Sequence, residues 1–155
     1  MKIILFFIFI LISILVFFIS ITLFYFNSYY LVLIGKEKQI NIPIKENDSF
    51  VISYKHSVAL TYVYEYYKIY NNKIILYETQ FYDQCAGLPT EANNEEKFIM
   101  EDGIFKITNM KREFESIDYR ININLEFKLF IKDKELNLSD IFGNDKVIIS
   151  LRRRL

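Results

Sequence analysis

The sequence predicts an all-β domain, an antiparallel sandwich or partly open barrel, preceded by one membrane-spanning helix. Three observations carry this. An unbroken apolar run opens the chain, a series of short β-branched and aromatic runs follows it, and short polar segments separate those runs.

From Ile3 to Ile19 every residue except Ser13 is Ile, Leu, Phe or Val, and apolar character continues to Phe26. At about 1.5 Å per helical residue the run is roughly 36 Å long, enough to cross a hydrocarbon core of about 30 Å with some tilt. A cleaved signal peptide is the alternative. The run exceeds the usual apolar region of such peptides, and no small-x-small site follows it. Residues 1–26 therefore read as an uncleaved signal-anchor. Lys2 stays cytoplasmic, and the aromatic clusters Phe24-Tyr25-Phe26 and Tyr29-Tyr30 suit the far interface. Residues 27–155 are then an extracytoplasmic domain of a single-pass cell-membrane protein.

Within that domain the β runs fall near 29–34, 39–45, 49–56, 60–70, 73–82, 97–102, 104–109, 119–125, 127–132 and 146–152. The spacing is that of antiparallel strands. With only 4 glycines and 2 prolines, Asn71-Asn72 and Asp102-Gly103 are the best hairpin turns. A short helical turn is expected at Ser139–Phe142, closed by Gly143.

Composition excludes several function classes. Basic and acidic residues balance at 19 each, and Arg152-Arg153-Arg154 is too short a basic run for nucleic acid. The chain has one histidine and one cysteine, which rules out an intramolecular disulfide and a structural zinc site. No phosphate-binding loop, dinucleotide fingerprint or EF-hand is present, and no cofactor is expected. Ser57 adjoins His56 and points to the opposite face of an extended strand, so the two make a poor nucleophile and base. Cys85, in the loop Asp83–Glu96, reads as a packed residue rather than a nucleophile.

The lone histidine nevertheless has company. A two-residue turn at Asn71-Asn72 pairs Tyr70 with Lys73 and sets Glu65 opposite Glu78. Alternation puts Phe50, Ile52, Tyr54 and His56 on one face of the preceding strand, and a tight turn near Val58-Ala59 brings His56 to the face of both glutamates. Opposed carboxylates need a cation, a shared proton or exposure to water. An exposed or slipped hairpin stays open, because a one-residue slip reverses every side chain. Gly87 can adopt a positive φ, and Pro89 holds Leu88 extended, so this loop is shaped to line a pocket.

The segments "YKHSVALTYVYEYYKI", "LYETQFYDQCAGLPTE" and "MEDGIFKITN" resemble the bacterial family known as domain of unknown function 1850 over about residues 40–153. The matching positions are His56, Ser57, Val58, Thr61, Val63, Glu65, Glu78, Thr79, Ala86, Gly87, Leu88 and Pro89. Tyr62 and Cys85 depart from the family pattern, which has proline and glycine there. The resemblance implies a candidate ligand site of His56, Ser57, Thr61, Glu65, Glu78, Thr79, Gly87, Leu88 and Pro89, with any metal unidentified. It also implies a setting beside TAXI-type tripartite ATP-independent periplasmic (TRAP) transporters. The expected role is thus a binding or accessory module that contacts the transporter membrane subunit or its solute-binding protein. The rival readings are an envelope hydrolase using His56 with Glu65 and Glu78 or a carboxylate-bound metal, and a structural envelope protein.

Overall fold

A computed structural model describes residues 2–26, 28–82, 93 and 95–154. Helix α1 spans Lys2–Phe26. Among the described residues the strands are β1 (Ser28–Ile34), β2 (Gln39–Lys45), β3 (Ser49–Lys55), β4 (Tyr62–Tyr70), β5 (Lys73–Phe81), β6 (Lys97–Glu101), β7 (Ile104–Thr108), β8 (Arg112–Phe114), β9 (Ser116–Arg120), β10 (Lys128–Ile131), β11 (Lys134–Asn137) and β12 (Lys146–Arg153). Short helix α2 covers Leu138–Phe142 and is closed by Gly143, as expected.

The strands form two antiparallel sheets. The smaller has the order β2-β1-β12-β9, and the larger runs β11-β10-β3-β4-β5-β7-β6, with β8 also paired to β5. Both sheets keep free edges, so the fold is a sandwich and not a closed barrel. Its core follows the period-two alternation of strands. Tyr29, Leu31 and Leu33 of β1, Val147 and Ile149 of β12 and Ile117 of β9 are buried with Phe50 and Ile52 of β3, Val63, Tyr67 and Ile69 of β4 and Ile74 and Phe81 of β5.

Both expected hairpins form. Asn71 and Asn72 have φ of 51° and 61°, and Asp102 and Gly103 have 51° and 77°; two consecutive positive values match the right-handed twist of the flanking strands. Gly35 is required for a different reason: a Cβ there would lie 2.7 Å from both Asp145 Oδ2 and the Phe142 ring.

Three local expectations are corrected. The run 119–125 is not one strand, because β9 ends at Arg120 and Ile123–Leu125 forms a 3-10 turn started by the Asn122 side chain, which accepts from Asn124 N–H at 2.9 Å. Strands β8 and β11 are additions. Each is only three or four residues long and largely charged, so neither shows an alternating pattern.

Helix α1 is long and apolar enough to cross a membrane, and none of Ile3–Thr22 is buried against the sandwich. Its polar side chains turn back on its own backbone: Ser13 Oγ donates to Ile10 O at 2.8 Å, Ser20 Oγ to Val16 O at 2.8 Å and Thr22 Oγ1 to Phe18 O at 2.7 Å. Such bonding hides hydroxyls from an apolar solvent.

Candidate functional site

β2 runs toward the end of the sandwich where α1 enters, because Ser28 pairs with Lys45. The chain reverses at Glu46–Asp48, where Asp48 N–H donates to Lys45 O at 3.1 Å, and β3 then runs away. Seven strand residues at about 3.3 Å each carry it roughly 20 Å, so the loop 56–61 caps the opposite end. The chain beyond Tyr82 leaves β5 at that same end.

This distal tip is built on His56. Its N–H donates to Thr61 O, and its carbonyl accepts from Leu60 N–H, both at 2.9 Å. Nδ1 faces the N–H groups of Val58 at 3.3 Å and Ala59 at 3.4 Å. A ring nitrogen in that position accepts, which in the neutral imidazole puts the proton on Nε2. Leu60 is held at φ 56°, an uncommon conformation for a side chain of its size. Ser57 is exposed, and Val58 and Leu60 are 68% and 66% exposed. Thr61 Oγ1 is buried without a hydrogen-bond partner, alone in this among the described side chains. A buried hydroxyl left unsatisfied costs about 1–3 kcal/mol.

Glu65 points into the core from the middle of β4. Its carboxylate accepts from Tyr67 at 3.0 Å, from Tyr54 at 3.4 Å and, at short range, from Tyr119. Tyr54 comes from β3, Tyr67 from β4 and Tyr119 from β9, so the acid joins the two sheets. The Tyr67 and Tyr119 oxygens also lie 2.8 Å apart, so two phenol hydrogens are shared among three contacts. Phe127 stacks on Tyr54 at 5.0 Å and meets Tyr119 edge-on at 5.9 Å, while Phe50 stacks on Tyr67 at 5.1 Å. Burial pushes the Glu65 carboxyl above its ordinary range, against the opposing pull of the three phenol bonds. The same burial, followed by the nearby carboxylate, pushes all three phenols up.

The two glutamates do not meet. The hairpin pairs Tyr70 with Lys73 as expected, and the ladder holds as far as Tyr67 with Leu76. A β-bulge then inserts Tyr77, so Tyr66 faces Glu78 and Glu65 faces Thr79. One extra residue reverses the remainder of the strand. Thr79 becomes buried and donates to Met110 Sδ at 3.7 Å. Glu78 turns to the outer face and accepts from Gln80 Nε2 at 2.5 Å. Among the described residues no three His, Cys, Asp or Glu side chains are placed to hold a metal ion. Gly87, Leu88 and Pro89, with Cys85, lie outside the described residues.

A second polar group sits beside the tip. Glu126, at φ 49°, accepts from Tyr62 at 2.5 Å and pairs with Lys55. It ties the chain before β10 to the ends of β3 and β4.

Comparison with protein families gives a match to a domain of unknown function (DUF1850) over residues 50–138. The chain belongs to the DUF1850 family. The DUF1850 match runs from Phe50 in β3 to Leu138 at the start of α2, narrower than the resemblance suggested. It contains the His56 tip and Glu65 with all three of its tyrosines, and it leaves out α1, β1, β2 and β12. No curated protein and no solved structure matches the chain.

Tyr54, Tyr67 and Tyr119 are the site residues that sequence reasoning missed. Tyr54 and Tyr67 share the inward face with Glu65 by simple alternation, a signal that was present. Tyr119 carries no such signal, since it arrives from the other sheet.

Proposed function

We propose that this DUF1850 protein is a membrane-anchored, extracytoplasmic binding module whose distal tip engages a partner, as an accessory of a TAXI-type TRAP transporter. The observation that supports binding is the tip itself: two large apolar side chains stand in water on a loop whose backbone is fixed by His56, beside a buried hydroxyl that lacks a partner. Exposed apolar groups on a shaped loop favour an interaction site. The bare apolar surface of α1, with its hydroxyls turned inward, supports an anchor over a soluble role. In this reading the anchor holds the base at the bilayer, and the tip reaches the transporter membrane subunit or its solute-binding protein. His56, Ser57 and Thr61 shape the contact, while Glu65 and Thr79 brace it from below.

A binding role is favoured over a hydrolase because Glu65 is occupied by three phenols and Glu78 faces the other way. The test is affinity purification from native membranes with the wild type and a V58D/L60D variant. Transporter components are expected with the wild type and lost with the variant at unchanged melting temperature. Recovery of the wild-type protein repeatedly without them overturns the accessory role. Protease shaving of spheroplasts that leaves residues 30–155 protected overturns the topology.

A further inference from the structure

The end of the sandwich nearest α1 carries its own chemistry. Residue 28 follows Phe26 by two positions, and at no more than about 3.6 Å per residue its Cα lies within roughly 7 Å of the end of the helix. Two strands converge on that point. Ser28 pairs with Lys45 of β2, Tyr30 pairs with Arg152 of β12, and Arg154 N–H donates to Ser28 O at 3.1 Å.

Alternation places Lys45, Tyr30, Arg152 and Arg154 together on the outer face of the smaller sheet. Lys45, Arg152 and Arg154 are exposed, and the Arg154 guanidinium lies 5.7 Å from the Tyr30 ring. Of the neighbouring acids, Glu46 accepts from Asn71 N–H at 2.6 Å and contacts Tyr29, and Asp48 accepts from Lys45 N–H at 2.9 Å and pairs with Lys132 at 3.3 Å. Arg153, on the opposite face, interacts with Tyr29.

We propose that Lys45, Arg152 and Arg154, grouped around Tyr30, form a headgroup-binding collar that takes the phosphates of anionic phospholipids where the sandwich meets the bilayer. The inference rests on α1 being the anchor. Given that, covalent connection and strand register hold three cations and an amphipathic ring at headgroup depth, whatever the tilt of the helix. Arginine forks match phosphate geometry, cations near an anionic leaflet are held within about a Debye length of it, and tyrosine favours the interface. A collar of this kind would fix the orientation of the domain and so the direction in which the tip points.

The experiment uses the full chain in lipid nanodiscs of phosphatidylcholine alone or with phosphatidylglycerol, reading amide hydrogen exchange. In the anionic discs, residues 28–34 and 146–153 are expected to exchange more slowly by about tenfold, while β4 and β5 do not change. High salt and the R152Q/R154Q variant should each remove the difference, and inorganic phosphate added to neutral discs should not reproduce it. Equal exchange in both lipids overturns the collar, as does slowing that survives in R152Q/R154Q. Should that variant fail to fold, the wild-type comparison between lipids and across salt decides alone. Failure of the chain to stay with discs of either composition overturns the anchor itself, a separate result.

Discussion

Tyr119 on the smaller sheet gives its phenol hydrogen to Glu65 on the larger one, so a hydrogen bond to a buried carboxyl crosses the interior of the sandwich. The carboxylate also holds Tyr54 and Tyr67. A partly satisfied buried acid is costly, and removing one donor leaves the carboxyl underbonded. Tyr119→Phe is therefore expected to destabilise the fold by about 1–3 kcal/mol, the range for a buried polar group left short of a partner, measured by urea unfolding.

Glu65 also sets a pH dependence. Its carboxyl lies above the ordinary value of 4.5 because of burial. Between that value and the raised one, the folded chain keeps a proton that the unfolded chain has released, so stability falls as pH rises through this window. Lowering the pH from above toward the ordinary carboxyl value should raise the melting temperature, and Glu65→Gln should flatten the response. Glu96, held below its ordinary range by the Arg112 guanidinium, acts in the opposite sense and only at lower pH. A wild-type melting temperature that falls as the pH is lowered through this window would contradict the assignment.

The bulge at Tyr77 makes a prediction about deletions. Removing Tyr77 straightens β5 yet leaves Thr79 across from Glu65 and Phe81 inside, so the variant should fold with modest loss. Removing Gln80 turns the fully buried Phe81 outward, at a cost of about 3–5 kcal/mol, comparable with truncating a core phenylalanine. Thermal unfolding of the two deletions side by side separates them.

Gly35→Ala should lower the melting temperature, because the added methyl meets the Phe142 ring and the Asp145 carboxylate that accepts from Lys36 N–H at 2.6 Å. Overpacking of this kind costs about 1–3 kcal/mol. Relief by Phe142→Leu in the same background would confirm the contact.

Much of the sandwich was legible because its signals are local. Gln39–Lys45 alternates along its whole length, and Asn71-Asn72 sits between two runs at the one spacing that closes a tight hairpin. The register of Glu65 was not legible. Tyr77 suits either face of a sheet, so nothing in the residue types marks where the ladder skips. The phenols around Glu65 were only half visible, since alternation groups residues within a strand but says nothing of what descends from the facing sheet. At the tip, rarity alone marks His56 in the sequence, and its role in bonding the turn depends on the path of the backbone.

β1 lies between β2 and β12, and Leu33 is paired with both Ile40 and Ile149. The segment fused to the helix thus waits for a strand made much later before its second flank is covered. An emerging chain exposes that unpaired edge until β12 has been made, and maturation becomes a race between delivery of β12 and capture of the open edge by another strand.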